Sequence, residues 1–513
     1  MFSKVTSSAV LGVDGTLISV EADINDGLPM FTMVGYLSSS VKEAGERVRT
    51  ALKNSGYRMP PKRITINLSP ADIRKDGSGF DLPIAVAVLL SMGIVPSINM
   101  DSTLIIGELS LDGTVKPIHG VLSMVHHAYL MGYKSCIVPV NNAYEAALVK
   151  GMNVFCVKNL NEAIDFVKGE IYIKPIEFNE AIESVNISSV NDVDFADIKG
   201  QEMLKRGLEI AAAGFHNVLM TGAAGSGKSM LAKRVPTIMP HMSFEESIDV
   251  TKIYSISGLL DDNSGLVRKR PFRSPHHTIS NYALIGGGNI PKPGEISLAH
   301  NGVLFLDELA EFNKNVLEVM RQPIEERKIT ISRVNAKYVF PAHFMLVAAM
   351  NPCPCGHYPD MNKCTCSPVQ IKKYQSKISG PLLDRIDINL GVKPVKSEDI
   401  FSRKTEETSA EIRERVERAR NIQEIRYKGE NISFNSQLDG DLLNKYIILK
   451  DNELRLLNKI FNEMELSARG VYRIMKLART IADLDGSENI LEIHLQEAAF
   501  FRNTKDKISG GWC

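Results

Sequence analysis

The chain has 513 residues, and its 60 Lys and Arg side chains balance its 60 Asp and Glu side chains, so the formal net charge is zero. Hydrophobic residues make up 44% of the chain and charged residues 23%, which is ordinary for a globular protein. This composition excludes a nucleic-acid binder that works through overall basicity, and any contact with phosphate must come from local patches.

Length and sequence pattern also limit the number of domains and the compartment. A chain of this length predicts roughly two to four domains. The longest apolar stretch, residues 82–95, is too short to span a bilayer, and the first residues show no secretory signal. Seven cysteines in so long a chain do not indicate a disulfide scaffold. We therefore expect a multidomain α/β protein of the cytoplasm.

Residues 1–170 alternate short β-rich runs with helices and predict an α+β domain. The segment RITINL (63–68) is typical of a strand, and LIIGELSLDGTVKPI (104–118) predicts strands around an Asp-Gly turn. One predicted helical face is apolar and consists of Val41, Ala44, Val48, Ala51 and Leu52. Residues 171–192 lose this pattern, and we expect them to form a linker.

A charged turn, Lys75 to Gly79, leads directly into the apolar helix of this first domain. Ser78 lies in that turn. A serine at a helix N-terminus can act as a nucleophile, because the unpaired N–H groups there stabilise developing negative charge. The turn is therefore either a hydrolytic site or the scaffold of one.

Residues 193–392 carry a nucleotide-binding pattern. The segment HNVLMTGAAGSGKSMLAKRV predicts a strand, a loop and a helix, and its loop matches G-x-x-x-x-G-K-[ST]. In such a loop backbone N–H groups surround the phosphates, the lysine neutralises phosphate charge and the serine binds Mg²⁺. The residues expected to bind ATP are Gly222, Ala223, Ala224, Gly225, Ser226, Gly227, Lys228 and Ser229.

Two further apolar strands are predicted to deliver catalytic side chains to the same sheet edge. NGVLFLDEL ends in Asp307 and Glu308, and HFMLVAAMNP ends in Asn351. We expect Asp307 to hold Mg²⁺ through water and Glu308 to orient or deprotonate the attacking water. Asn351 is expected to hydrogen-bond that water or the γ-phosphate.

Arginines later in the chain are candidates for stabilising the transition state. SGPLLDRIDI supplies Arg385, a candidate arginine finger acting across a subunit boundary. Residues 393–513 become charged and helical and predict a helical lid, in which either Arg469 or Arg473 could contact the nucleotide. Spacing alone does not choose between these two.

Four cysteines lie close together between residues 353 and 366. Cys353, Cys355, Cys364 and Cys366 form two C-x-C pairs, and four thiolates in one short insertion can hold structural Zn²⁺. Reduced cysteines in a loop are the alternative, and His357 is a substitute ligand.

The order of these motifs resembles that of AAA+ ATPases. RPFRSPHHTIS, ALIGGG, PKPGEISLAHNGVLFLDEL, LEVMRQPIEE, AAMNPCPCG and ISGPLLDRIDI together resemble the magnesium-chelatase-like ComM/YifB family. The resemblance implies a homo-oligomeric ring, a hexamer, with ATP sites at subunit interfaces. It further implies a DNA branch-migration helicase that acts with recombination proteins in natural transformation. The alternative is a chelatase-type ATPase that remodels a protein partner without DNA.

A basic hairpin is the candidate contact with single-stranded or branched DNA. RKITISRVNAKYVFPAH (327–343) alternates like two strands and carries Lys328, Arg333 and Lys337. Helicases of the AAA+ branch that the chain resembles place a hairpin before the strand of Asn351, directed into the ring pore. RKRPFR (268–273) adds a second basic cluster. A solvated charged face is the alternative.

The N-terminal domain resembles the proteolytic domain of Lon, which has a ribosomal S5 domain 2-like fold. KDGSGFDLPIAVAVLL, IIGELSLDGTV, PIHGV and GYKSCIVPVNN follow that domain in order. The nucleophilic serine of Lon aligns with Gly79, and its lysine base aligns with Met124. A serine hydroxyl needs a nearby base, and methionine cannot supply one. We therefore expect a scaffold without the catalytic dyad, which disfavours an ATP-dependent peptidase.

Overall fold

The computed structural model describes residues 1–96, 102–178, 193–260, 265–333, 336–394 and 405–502. In those ranges two α/β domains are followed by a helical region. None of the helices there combines the length and the apolar character needed to cross a bilayer.

The N-terminal domain is built on a mixed β-sheet. Its strands are β1 Phe2–Leu11, β2 Asp14–Asn25, β3 Met30–Val34, β4 Arg63–Ser69, β5 Thr103–Ile105, β6 Glu108–Leu109, β7 Val115–Lys116, β8 Ser135–Pro139 and β9 Asn153–Val157. Seven of them form one sheet in the order β3-β4-β2-β1-β5-β8-β9. β6 and β7 form a small antiparallel hairpin around Asp112 and Gly113, which confirms the predicted turn.

Helices cover both faces of this sheet. They are α1 Ser39–Lys42, α2 Ala44–Asn54, α3 Asp81–Ser91, α4 Val121–Leu130, α5 Ala143–Ala147 and α6 Leu160–Lys168. Side chains of α2, α3 and α6 share one hydrophobic core, and side chains of α4 and α5 share another. The predicted apolar face from Val41 to Leu52 is buried, because it packs into the first of these cores.

The stretch predicted as a linker, 171–192, begins in contact with folded structure. The backbone N–H of Ile176 donates to the carbonyl of Val154 at 2.9 Å, and the ring of Phe178 meets that of Phe244 edge-on at 5.6 Å. The remainder of the predicted linker, 179–192, lies outside the described residues.

The second domain contains a five-stranded sheet in which every neighbouring pair is parallel. The strands of this domain are β10 Val218–Gly222, β11 Phe272–Arg273, β12 Gly286–Gly287, β13 Lys292–Pro293, β14 Val303–Leu306, β15 Lys328–Ser332, β16 Lys337–Pro341, β17 Met345–Met350 and β18 Ile388–Val392. The sheet order is β11-β14-β17-β10-β18, and β12–β13 and β15–β16 are separate antiparallel hairpins.

Both faces of this sheet are buried, as its uninterrupted apolar strands predict. Met220 and Phe305 point into one core, whereas Leu219 and Leu304 point into another. The helices of this domain are α7 Glu202–Gly214, α8 Lys228–Ile238, α9 Phe244–Ser257, α10 Asn281–Ile285, α11 Glu295–Leu298, α12 Lys314–Val319, α13 Arg321–Glu326, α14 Pro368–Gln375 and α15 Gly380–Leu383.

The C-terminal region is helical, as predicted. Its helices are α16 Ser409–Arg426, α17 Gly440–Tyr446, α18 Asp451–Glu463, α19 Ala468–Leu484 and α20 Glu492–Arg502. Short 3₁₀ turns occur in all three parts of the chain, at Val140–Asn142, Phe195–Asp197, Leu309–Glu311 and Asn435–Gln437. Ile412, Ile474 and Phe501 belong to the same hydrophobic core as Met220, so the helical region packs directly on the parallel sheet.

The N-terminal domain docks on α9 of the second domain. The hydroxyl of Ser255 donates to the buried carboxylate of Glu145 and accepts the backbone N–H of Gly120 at 2.8 Å. Burial raises the pKa of Glu145. Val13, in the β1–β2 turn, packs on the core beneath the β15–β16 hairpin. These contacts fix the N-terminal domain beside the parallel sheet and its basic hairpin.

Candidate nucleotide-binding site

The glycine-rich loop joins the end of β10 to the start of α8, in the predicted order of strand, loop and helix. Gly225 and Gly227 have φ angles of +75° and +88°, which favour glycine. A side chain at Gly222 would collide with the carbonyl of Val392, 2.3 Å from the position of its Cβ. The backbone of the loop can therefore curl around a phosphate only with this glycine pattern.

Lys228 is held at the mouth of the loop by neutral oxygens. Its Nζ lies 2.7 Å from the carbonyl of Gly222, 2.8 Å from that of Ala223 and 3.2 Å from Oδ1 of Asn351. Burial lowers the pKa of Lys228, and the carboxylates of Asp307 and Glu308 oppose this effect. Among the described residues no carboxylate lies within ion-pair distance of the ammonium, which suits it to a phosphate.

The carboxylates predicted from the sequence lie beside this lysine. Oδ2 of Asp307 accepts a hydrogen bond from the hydroxyl of Ser229 at 2.6 Å, so the predicted Mg²⁺ ligand contacts the carboxylate predicted to hold the ion through water. Glu308 follows in a left-handed backbone conformation, with φ of +53°. That conformation is unfavourable for a residue with a side chain and is typical of functional sites.

One side chain at this edge was not among the predicted site residues. Nδ1 of His277 lies 3.5 Å from Oε2 of Glu308. His277 follows β11, the strand that pairs with β14, so both side chains emerge at the same edge of the sheet. The only signal in the sequence was a pair of histidines shortly after a short strand.

A cavity of about 350 Å³ lies between the glycine-rich loop and the ends of β14 and β17. It is lined by residues 224–230, Asp307, Glu308, Met350 and Asn351. The buried hydroxyl of Ser226 inside the loop has no hydrogen-bond partner among the described residues. The glycine cradle, a buried lysine, an unpaired hydroxyl and a Ser–Asp pair fit a nucleoside triphosphate with Mg²⁺.

The predicted arginines lie elsewhere. Arg385, Arg469 and Arg473 line a second cavity of about 490 Å³, which shares no lining residue with the first. The Arg385 guanidinium lies 2.5 Å from Oε1 of Glu325. The structure therefore brings the three arginines together but not to the glycine-rich loop of their own chain.

The two lid arginines differ in their partners. Arg473 lies 2.6 Å from Oδ1 of Asp387, whereas Arg469 is exposed. Burial alone would raise the pKa of Asp387, but Arg473 and His216 hold it well below its ordinary value. Arg473 is therefore occupied by an internal ion pair, and Arg469 is the better placed of the two to meet a ligand.

The predicted basic hairpin exists as β15 and β16. Lys328 and Lys337 are exposed, and the Arg333 guanidinium donates to the carbonyl of Gly288 at 2.7 Å. The second basic cluster differs from expectation, because Arg270 and Arg273 form ion pairs with Glu246 and Glu295. Both clusters therefore offer an exposed lysine for phosphate contact, Lys328 and Lys337 on the hairpin and Lys269 in the second cluster.

The four predicted cysteines converge. Their Sγ atoms lie within 4.8 Å of one another, with 3.4 Å between Cys353 and Cys355 and 3.8 Å between Cys353 and Cys364. Backbone N–H groups of His357 and Thr365 lower the pKa of the Cys355 thiol. His357 does not belong to this group of ligands. The arrangement can accept one tetrahedral metal ion.

The charged turn of the N-terminal domain is engaged in structural contacts. The Ser78 hydroxyl donates to the carboxylate of Glu108, and the buried Lys75 ammonium donates to the carbonyl of Pro70. Met124, at the position of the Lon lysine, is buried among apolar side chains. The resemblance to Lon and the absence of its dyad remain predictions.

Known proteins match the chain along nearly its whole length. The sequence profile of magnesium chelatase, subunit ChlI, matches residues 194–400, a profile of the ChlI subunit matches residues 20–142, and that of the ChlI C-terminal region matches residues 406–502. Competence protein ComM of Haemophilus influenzae is 42% identical over 503 residues, 97% of each chain.

Two other similarities bear on the domains. YifB of Escherichia coli is 42% identical over 502 residues, covering 98% of this chain and 97% of that protein. Lon protease 2 of Bacillus subtilis is 28% identical over 192 residues, 33% of each chain. The similarity to the first two relatives therefore extends through both α/β domains and the helical region.

Proposed function

The chain belongs to the ComM/YifB family of magnesium-chelatase-like AAA+ ATPases, and on that premise we propose that it is an ATP-driven ring motor that moves DNA. Membership of this family implies ATPase activity. The name of the Haemophilus influenzae relative, a competence protein, supports branch migration during natural transformation as the process.

The residues at the sheet edge have separate roles in ATP hydrolysis. The loop N–H groups and Lys228 bind the phosphates. Ser229 would bind Mg²⁺ directly and Asp307 would hold it through water, and the ion would supply positive charge that stabilises the phosphoryl oxygens. Glu308 accepts a proton from the attacking water, and His277 orients its carboxylate. Asn351 contacts Lys228 and is therefore placed to reach the γ-phosphate that Lys228 would bind.

We propose a homo-oligomeric ring, a hexamer, and the separate cavity of arginines supports sites shared between its subunits. Arg385 and Arg469 lie together yet do not line the ATP cavity of their own chain. In a ring they would face the nucleotide of the neighbouring subunit, where positive charge stabilises the transition state.

The observation that carries the DNA assignment is the path from the ATP site to the basic hairpin. β16 continues through residues 342–344 into β17, and β17 ends next to Asn351. A change at the γ-phosphate can therefore be passed along one continuous stretch of chain to Lys328 and Lys337. Their exposed ammonium groups suit the phosphates of single-stranded or branched DNA.

The test compares the ATPase rate with and without single-stranded, duplex and forked DNA. The proposal expects stimulation by DNA in the wild type and its loss in the Lys328→Ala, Lys337→Ala double variant. A double variant of Lys428→Ala and Lys450→Ala, exposed lysines of the helical region, changes the net charge equally and should retain stimulation. ATPase that ignores every DNA would favour the chelatase-type protein remodeller instead.

We also propose that Cys353, Cys355, Cys364 and Cys366 hold structural Zn²⁺. Four sulfur ligands within 4.8 Å of one another match the donor set of closed structural zinc sites. Elemental analysis of protein purified without chelator should find about one Zn²⁺ per subunit.

A further inference from the structure

The cysteine loop, residues 353–366, lies next to the ATP site. Asn351, which accepts a hydrogen bond from Lys228, is separated from Cys353 by Pro352 alone. Pro352 and Cys353 are buried, and the carbonyl of Pro352 accepts the side-chain N–H of Gln375 at 3.1 Å. The first zinc ligand and the γ-phosphate contact are thus parts of one fixed segment.

The turn that contains the first two cysteines, residues 353–356, touches the phosphate-binding loop itself. Gly356 has φ of +81°, and its N–H donates to the carbonyl of Cys353 at 3.0 Å. A Cβ at Gly356 would lie 3.5 Å from the backbone nitrogen of Ala224 and 3.9 Å from Cγ of Asn351. The backbone of the cysteine loop therefore packs against both Asn351 and an N–H-bearing residue of the glycine-rich loop.

Backbone hydrogen bonds such as that from Cys364 N–H to the carbonyl of Asp360 shape this loop, but few of its side chains are buried. Pro354, His357 and residues 359–363 are exposed, and the other three cysteines are half-buried around Cys353. A metal ion that joins four sulfur ligands replaces the hydrophobic burial that such a segment lacks.

We propose that Zn²⁺ in the cysteine cluster positions the ATP site, so that zinc and nucleotide bind cooperatively. This inference rests on the ATPase and zinc assignments proposed above. Zinc binding, with release of the thiol protons, fixes residues 353–366, and the fixed loop holds Asn351 and the loop around Ala224 in the conformation that receives phosphate. Because binding coupling is reciprocal, nucleotide must strengthen zinc binding by the same factor.

The experiment measures both affinities in the full-length protein. Binding of a fluorescent, non-hydrolysable ATP analogue is titrated with zinc-loaded wild type and with Cys364→Ser. The variant should lose zinc and bind the analogue about tenfold more weakly, within the usual range for coupled sites. Cys156→Ser, at a half-buried cysteine of β9 far along the chain, should change neither quantity. Competition with a chromophoric chelator should show zinc held about tenfold more tightly when the analogue is present.

A second pair of variants keeps all four sulfur ligands. Gly356→Ala forces a side chain into a left-handed turn beside the phosphate loop, whereas Gly429→Ala does so at φ of +90° with no atom within 4 Å of its Cβ. Gly356→Ala should weaken binding of the analogue while zinc is retained. Gly429→Ala should leave binding of the analogue unchanged.

The outcomes separate the linked proposals. Folded, zinc-free Cys364→Ser that binds the analogue as the wild type does would overturn the coupling, as would wild type that carries no zinc. Wild type that carries zinc but binds no nucleotide would instead refute the ATPase proposal.

Discussion

Oδ1 of Asn351 lies 3.2 Å from Nζ of Lys228, although 123 positions separate the two residues in the chain. The contact follows from the sheet, because β10 and β17 are parallel neighbours with Thr221 opposite Met350. Parallel strands in register end at the same edge, so the side chains that follow them meet. The lysine and the amide that we propose as phosphate contacts are thereby held side by side at this edge.

Glu308→Gln is expected to bind ATP and barely hydrolyse it. The amide keeps the size of the carboxylate but cannot accept the proton of the attacking water. Turnover should fall by a factor on the order of 10²–10⁴, measured as phosphate release, with analogue affinity unchanged. Glu311→Gln, an exposed carboxylate outside the ATP cavity, is the control. Turnover within a few-fold of the wild type would remove Glu308 from this role.

Arg385→Ala and Lys228→Ala subunits, each inactive alone, should regain activity when mixed. A mixed ring contains some interfaces with an intact glycine-rich loop on one side and an intact arginine on the other. The measurement is ATPase activity against mixing ratio, with assembly followed by size-exclusion chromatography. Mixed rings that assemble and yet remain inactive would contradict a site shared between subunits.

Lys328→Ala with Lys337→Ala should flatten the salt dependence of DNA binding. Each neutralised phosphate releases counterions, so the slope of log K against log salt should fall by about one for each lysine that no longer neutralises a phosphate. Basal ATPase should persist, since neither lysine lines the ATP cavity. Branch migration of a synthetic junction should be abolished, and an unchanged slope would exclude the hairpin as the DNA-binding element.

The stability of the second domain should fall with acidification because two histidines are buried. Burial lowers the pKa of His300 from 6.5 to about 4, and it lowers that of His343 well below its ordinary value. Below about pH 6.5 these histidines bind protons in the unfolded chain but remain neutral in the folded chain. The free energy of unfolding therefore decreases as the pH falls from about 6.5 to about 4. At pH 5 His300 alone should lower the free energy of unfolding by about 2 kcal/mol.

The variant His300→Asn tests whether the buried histidine causes this loss of stability at low pH. The amide oxygen can still accept the backbone N–H of His343, which Nδ1 of His300 accepts at 3.1 Å, but the side chain no longer titrates. Urea denaturation at pH 7 and pH 5 should show a smaller difference in the variant than in the wild type. His241→Asn, at an exposed histidine, should leave the difference unchanged, and equal differences in all three proteins would contradict the assignment.

The glycine-rich loop, the strands that end in Asp307 and Asn351, the basic hairpin and the cysteine cluster could all be predicted from the chain alone. Each of these depends on neighbours in the chain: a fixed spacing of glycines and lysine, a run of apolar residues, or four cysteines within one short segment. Lys228, Ser229, Asp307, Glu308 and Asn351 could be assigned together because parallel strands deliver their last residues to one edge.

Which distant groups meet depended on how the folded segments pack. Packing placed Arg385 and Arg469 in a separate cavity, paired Arg473 with Asp387, and set His277 beside Glu308. It also engaged Arg270 and Arg273 in ion pairs, and it laid the cysteine loop on the phosphate-binding loop. No spacing pattern in the sequence predicts these contacts, because each one forms between segments that are distant in the chain. Whether two such segments meet depends on the shapes of both surfaces and not on the spacing of residues within either segment.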